Sequence, residues 1–321
     1  MSAGPQVARD LLATMWRIRC FEERVAALKR SLQAHGLIHL SVGGEGVAAG
    51  VCRQLEDDDQ VYSGHRAHGH ALAKGVPPPR LMAELMGRVD GCCRGLGGSM
   101  HLVDRARGFL GATGVVGGNL PLALGSALAN RLRGGDRVAV VFFGDGAVQA
   151  GHFHETVNLA ALWRLPLILV CENNGFAEFT PRSAHTVVER VSDVVAPYRL
   201  ARATVEGSDA LAVWEAFGAH LKLAREGQGP MLLECLTHRR RGHYEGDAQA
   251  YRSPVEEEQW RTRDPIARLS ERARGEGWLS AEEERELRLR AQEEVERAVA
   301  FARASPPPDA ELPGQLVYAS A

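Results

Sequence analysis

The sequence predicts an α/β protein, a mostly parallel sheet with helices on both faces, extended by helices toward its N- and C-terminal ends. Three observations carry this expectation. The runs Val138-Ala139-Val140-Val141-Phe142-Phe143 and Leu167-Ile168-Leu169-Val170-Cys171 are apolar at every position, as strands buried on both faces are. Helical and strand-like patterns alternate over residues 119–236. Both apolar runs then stop at turn-forming polar residues, Gly144-Asp145-Gly146 and Glu172-Asn173-Asn174-Gly175. In open parallel sheets ligands sit outside such carboxyl ends.

The elements follow in chain order. Leu11, Met15, Ile18, Phe21, Val25 and Leu28 recur at helical spacing and predict a helix over 7–35. A second helix is expected over 43–56, and a third over 80–88, after the break at Pro77-Pro78-Pro79. From Gly91 to Gly118 the text is rich in glycine and lacks periodicity. So long a stretch inside a compact protein is functional or disordered, and its apolar and histidine content argues against disorder. Beyond it come a helix at 119–131, a strand at 137–143, a helix at 149–162, strands at 166–172 and 201–205, a helix at 209–225 and a strand at 230–236. Ser280 with Glu283 forms a capping box, opening a helix with Leu287, Ala291, Val295, Ala298 and Ala302 on one side. That helix, read as a packing or subunit-contact element, ends before Pro306-Pro307-Pro308. The expected organisation is one α/β unit with N-terminal helices over 1–270 and a helical extension and tail over 271–321.

Bulk properties narrow the function. The 321 residues are 45% apolar and 24% charged, as in soluble globular proteins. A net charge of -2 gives no electrostatic reason to expect nucleic acid or an anionic membrane as partner. No apolar run reaches the roughly 18 residues of a membrane span, and the N-terminus lacks signal-peptide order. The 6 cysteines show no CxxC spacing, and adjacent Cys92-Cys93 suits neither a zinc knuckle nor an ordinary disulfide. Free thiols in a reducing, cytoplasmic compartment are expected.

The two strand ends suggest a metal. A hard cation such as magnesium takes near-octahedral oxygen ligands and is commonly shared with substrate phosphates. A carboxylate from Asp145, an amide oxygen from Asn174 and a backbone carbonyl supply three, with one helix and one strand between the two side chains. Glycines beside Asp145 let a diphosphate approach the backbone, and the following helix start offers N–H groups to it. A lone Gly-Asp-Gly or Asn-Asn-Gly is a common turn, but the two together, one crossover apart, are much less common. His65, His68 and His70 offer a competing zinc reading, with no nearby carboxylate or Cys to complete it.

The whole stretch GDGAVQAGHFHETVNLAALWRLPLILVCENNGFAEFT resembles the α subunit of the thiamine diphosphate-dependent first component of acetoin and 2-oxo acid dehydrogenase complexes. The resemblance runs from about residue 8 to residue 270. It implies that Asp145, the Asn174 side chain and the Phe176 carbonyl bind Mg2+, with Gly144, Gly146 and Ala147 along the diphosphate. YSGHRAHGHALAKG is similar to the diphosphate-contacting loop and implies that Arg66 holds the phosphates through its planar fork. His65 stands beside it, where many relatives carry Tyr. GATGVVGGNLP implies that Gly114 and Val116 bond the cofactor's aminopyrimidine through their backbones, the Val116 side chain holding its bent shape. RGHYEGDAQAYR implies that His243 reaches the active-site channel as cofactor contact and catalytic residue. Tyr244 and Ala250 replace serines that a kinase modifies in mammalian relatives, so such control is not expected. Glu45, in GGEG, is expected to support the fold.

In this family a β subunit supplies the glutamate that activates the cofactor, and nothing after residue 250 resembles such a domain. The resemblance therefore implies half an enzyme, an α2β2 heterotetramer with its β partner, passing an acyl group to a lipoyl-bearing acyltransferase. HRAHGHALAKGV, NNGFAEFTP and GHYEGDAQAYR look closest to the acetoin type. The alternatives are a pyruvate or branched-chain 2-oxo acid dehydrogenase and, of another class, a non-catalytic partner subunit. The presence of Asp145, Asn174 and Arg66 argues against the last.

Overall fold

The computed structural model describes residues 4–253 and 262–317. Its strands are β1 (Gln60–Ser63), β2 (Phe109–Ala112), β3 (Ala139–Gly144), β4 (Leu167–Asn173), a small hairpin of β5 (Phe176–Ala177) and β6 (Thr180–Pro181), β7 (Ala201–Glu206) and β8 (Met231–Leu236). Among the described residues, six of these form one sheet in the order β2-β1-β3-β4-β8-β7. Every neighbouring pair in it is parallel, so the expected fold class holds.

The uninterrupted apolar runs are explained by two cores, one on each face. Val140 and Phe142 of β3, with Ile168 and Val170 of β4, face one core. They meet there helices α1 (Pro5–Arg30), α2 (Glu45–Cys52), α3 (Ala67–Lys74), α4 (Pro78–Leu85) and α8 (Ala210–Arg225). Ala139, Val141 and Phe143, with Leu167, Leu169 and Cys171, face the other, against α5 (Asn119–Arg133), α6 (Gly151–Leu162) and α7 (Val191–Val194). Alternate residues thus enter opposite cores, the period of a strand. The predicted stripe of α1 is fully buried, from Leu11 to Leu28. The capping box at Ser280 is present and opens the helix Ala281–Ala304. Its face of Ala291, Val295, Ala298 and Ala302 lies in the same core as α1 and α4, so this helix packs on its own chain. The preceding helix, Pro265–Gly275, runs through residue 270 and joins α1 and α8 in a third cluster.

Several elements depart from expectation. Strands β1 and β2 were not expected, nor was α3 within the histidine-rich segment. Each strand is only four residues long, too short to display a period, and each abuts a glycine, Gly64 after β1 and Gly108 before β2. Helix α1 ends at Arg30 rather than near 35, because Leu32 adopts a left-handed φ of 60°. Helix α4 starts at Pro78, since proline is well tolerated in a first turn whose N–H groups have no partner.

Candidate functional site

The chain leaves β1, β3, β4 and β8 at their carboxyl ends into one cavity of about 520 Å³. It opens where strand order reverses, between β1 and β3, the switch point at which such sheets bind ligands. His65 and Arg66 follow β1, Gly144 ends β3 and Gly146 and Ala147 come after it, Asn174 and Phe176 follow β4, and His243 follows β8; all line the cavity, as do Gly114 and Val116 at its rim. Asp145 lies just beneath, 1% exposed.

Asp145 opens a 3-10 turn directly after β3. One carboxylate oxygen accepts the Asn174 backbone N–H at 3.3 Å. The other is buried without a hydrogen-bond partner, with the Arg182 guanidinium 3.8 Å away. Burial pushes the Asp145 carboxyl up to about 6. A buried anionic oxygen left unpaired costs on the order of 1–3 kcal/mol or more, and a cation would relieve it. The Asn174 side-chain oxygen accepts one N–H, from Phe176 at 3.2 Å, leaving a lone pair. Phe176 pairs with Pro181, which has no N–H to give its carbonyl. The donor set thus fits a hard cation.

The glycines fit a diphosphate for two different reasons. A Cβ at Gly144 would meet nothing within 4 Å and would stand in the cavity, whereas one at Gly146 would meet the Ala177 Cβ at 2.8 Å. Arg66 donates to the Leu40 carbonyl at 2.9 Å and to the His243 carbonyl at 2.7 Å. Burial, with Arg239 beside it, lowers its guanidinium to about 9, still charged at neutral pH. Arg239 donates to the Glu178 carbonyl and to the Tyr251 hydroxyl at 2.9 and 2.8 Å. Among the described residues neither guanidinium forms a salt bridge, so each can take an anion, while the carboxylates of Glu172 and Glu178 line the same cavity.

The rings of His39, His65 and His243 cluster with centroids 4.6, 5.0 and 5.4 Å apart. Their nitrogens lie close enough to suggest a metal site, but Arg66 and Arg239 flank them and repel a cation. Burial and Arg66 hold the three near pKa 3, 2 and 4, so all are neutral at pH 7. His243 Nδ1 faces the Arg66 and Arg239 donors at 3.2 and 3.4 Å. Its proton is therefore assigned to Nε2. The alternative zinc trio is not assembled. His68 is buried between Glu22 and Ser99, and His70 bonds Ser63 and stacks on Phe142 at 3.8 Å.

Sequence reasoning missed His39 and Arg239. Arg239 lies three residues past β8, and the strand-end logic that singled out Asp145 and Asn174 would have found it. His39 sits in the run Leu37-Ile38-His39-Leu40, where a lone histidine reads as core.

Glu45 supports the fold as expected. Fully buried, it accepts from Arg19 and from the Gly43 N–H at 2.8 Å, and Arg19 also bonds Asp264 at 3.0 Å. Glu45→Ala leaves the Arg19 charge with one partner in place of two. Loss of a buried partner costs about 3–5 kcal/mol, expected as a lower urea midpoint; a drop of under about 1 kcal/mol would remove the network from the fold's supports.

A doubly wound parallel sheet with a glycine-lined cavity at its switch point, two arginines reaching into it, defines an α/β protein built to hold an anionic cofactor. The chain belongs to the dehydrogenase E1 component family, whose model matches residues 13–311. Membership makes it part of an oxidoreductase and implies dependence on thiamine diphosphate. It is 43% identical over 314 residues to the α subunit of acetoin:2,6-dichlorophenolindophenol oxidoreductase of Bacillus subtilis, covering 97% of this chain and 94% of the relative. The corresponding subunit of Cupriavidus necator is 42% identical, covering 97% and 95%. The pyruvate dehydrogenase E1 component subunit α of Rhizobium meliloti is 38% identical, covering 92% and 85%.

Proposed function

We propose that this chain is the α subunit of a thiamine diphosphate- and Mg2+-dependent acetoin dehydrogenase, acting with a β subunit and passing an acetyl group to a lipoyl-bearing acyltransferase. The observation that carries it is the unpartnered, buried Asp145 oxygen beside a cavity bearing Arg66. Asp145, the Asn174 side chain and the Phe176 carbonyl hold the metal. Arg66 neutralises the diphosphate, while Gly144 leaves room for it and the backbone of Gly146 and Ala147 follows. Gly114 and Val116 take the aminopyrimidine end. Bound thiamine diphosphate supplies an electron sink for breaking a carbon–carbon bond beside a carbonyl. His243, neutral and with its proton on Nε2, donates a hydrogen bond into the channel, and His39 and His65 keep that wall uncharged.

Val115 and Val116 stand 66% and 54% exposed at the rim. Apolar side chains so placed favour a subunit that covers the cavity and supplies the activating glutamate. No helix among the described residues is long and apolar enough to cross a membrane, in keeping with a cytoplasmic complex.

The acetoin reading is favoured by the two acetoin-oxidoreductase relatives at 43% and 42% identity; the pyruvate reading rests on the relative at 38%. With the cognate β subunit, thiamine diphosphate and magnesium, acetoin is expected to reduce 2,6-dichlorophenolindophenol, pyruvate at least tenfold more slowly. Preference for pyruvate would move the chain to the 2-oxo acid dehydrogenases, and failure of both with no cofactor binding would leave a non-catalytic partner.

A further inference from the structure

After α4 the chain folds round the buried carboxylate of Glu84. Its two oxygens accept the backbone N–H groups of Cys93, Gly95, Gly97 and Gly98 at 2.8, 2.9, 2.8 and 3.0 Å. This nest holds Cys92 and Cys93 at the surface, both half-buried, whereas Cys20, Cys52, Cys171 and Cys235 are buried. The Cys93 sulfur accepts the Val103 N–H at 3.2 Å. The neighbouring Cys93 thiol raises Cys92 in pKa, and Cys92 in turn lowers Cys93. Both sulfurs lie within 4.8 Å of each other and of a Glu84 oxygen.

Three chemistries compete for two such sulfurs. A disulfide is disfavoured, because adjacent Cα atoms are about 3.8 Å apart and disulfides usually span at least about 4.4 Å. A structural zinc wants four protein ligands. Glu84 is already engaged by four N–H groups, so the nest offers only the two sulfurs. A trivalent arsenic centre needs just two sulfurs and carries its own third substituent, and the inserted atom relaxes the close spacing that disfavours the disulfide. We propose that Cys92 and Cys93 form a dithiol site for trivalent arsenicals on this chain, separate from the cofactor cavity. With an aryl arsenic(III) oxide the two S–H bonds are replaced by two S–As bonds. The two protons leave with the arsenic-bound oxygen as one water, and no atom is oxidised or reduced.

The test uses the α chain co-purified with its β subunit and without any lipoyl protein. Phenylarsine oxide in slight excess should add one phenylarsenic group to each α chain by denaturing mass spectrometry. The adduct should be reversed by dithiothreitol and not by the same concentration of a monothiol. Peptide mapping of wild type should show Cys92 and Cys93, and no other cysteine of the chain, protected from alkylation by iodoacetamide. Cys93→Ala should lose the adduct. A wild-type chain that takes up no arsenic, protection at other cysteines, or an undiminished adduct in Cys93→Ala would each overturn the proposal; the mapping needs no variant, so misfolding cannot mask the result.

Discussion

Replacing Asp145 is expected to abolish cofactor binding and, in the isosteric variant, to make the ligand-free chain more stable. The carboxyl sits at about 6 because burial disfavours its charge, against about 3.9 in an unfolded chain. The folded state therefore holds the Asp145 proton more tightly. Below both values the two states are equally protonated and the group is neutral in its effect. As pH rises from about 4 to about 6, only the unfolded chain gives up the proton freely, and folding is penalised by up to roughly 3 kcal/mol at pH 7. Asp145→Asn removes that penalty, so its urea midpoint should exceed wild type at pH 7 and match it near pH 4. Asp145→Ala deletes the donor oxygen. Isothermal titration with thiamine diphosphate in the presence of magnesium should then show no binding, while wild-type affinity should weaken as pH falls below about 6 and the carboxylate is protonated. Unchanged binding by the alanine variant would remove Asp145 from the metal site. A lower midpoint for Asp145→Asn at pH 7 would mean that the second oxygen has a partner after all.

How much of this was legible follows from the way each feature is encoded. Strands β3 and β4 are visible because both faces are buried, so every position from Ala139 to Phe143 and from Leu167 to Cys171 must be apolar. The polar residues that end them then stand out by contrast. Strand β1 offers no such contrast: Gln60-Val61-Tyr62-Ser63 mixes polar and apolar residues, and only its pairing between β2 and β3 makes it central. Resemblance, rather than pattern, brought in Arg66, His243 and the rim residues Gly114 and Val116. The histidine wall was the least legible part. His39, His65 and His243 come from three segments, joined only when the loop after β8 folds over the end of β1. That closure depends on Asp247, which accepts the His243 N–H at 2.6 Å and the Tyr251 hydroxyl at 2.7 Å, contacts no periodicity announces.

That same wall, together with His238 two residues past β8, predicts acid lability. His39, His65, His238 and His243 are held at about 3, 2, 3 and 4, in each case first by burial and then by neighbouring arginines. In the unfolded chain each titrates near about 6.5. Above that value neither state is protonated and the histidines do not affect folding. As pH falls through about 6.5 the unfolded chain takes up protons that the folded chain refuses. Each histidine then removes up to about 1.4 kcal/mol per pH unit until its folded value is reached. Asp145, which gains its proton first in the folded state below about 6, offsets one of the four. Three remain; solvent screens His39, His238 and His243 in part, so the loss is well under about 4 kcal/mol per pH unit, against a total stability of roughly 5–15 kcal/mol for a typical fold. The carboxylates held below their usual range, Glu22, Glu234 and Asp264, lose their contribution only below about 4.5, where unfolded carboxylates begin to protonate. They cannot cause a loss between pH 6.5 and 5. Urea midpoints at pH 7, 6 and 5 should therefore fall steeply over the last interval, and His243→Asn should shallow the fall by about one proton. A flat midpoint from pH 7 to 5 would show that these histidines titrate in the folded chain, and the uncharged channel wall would go with it.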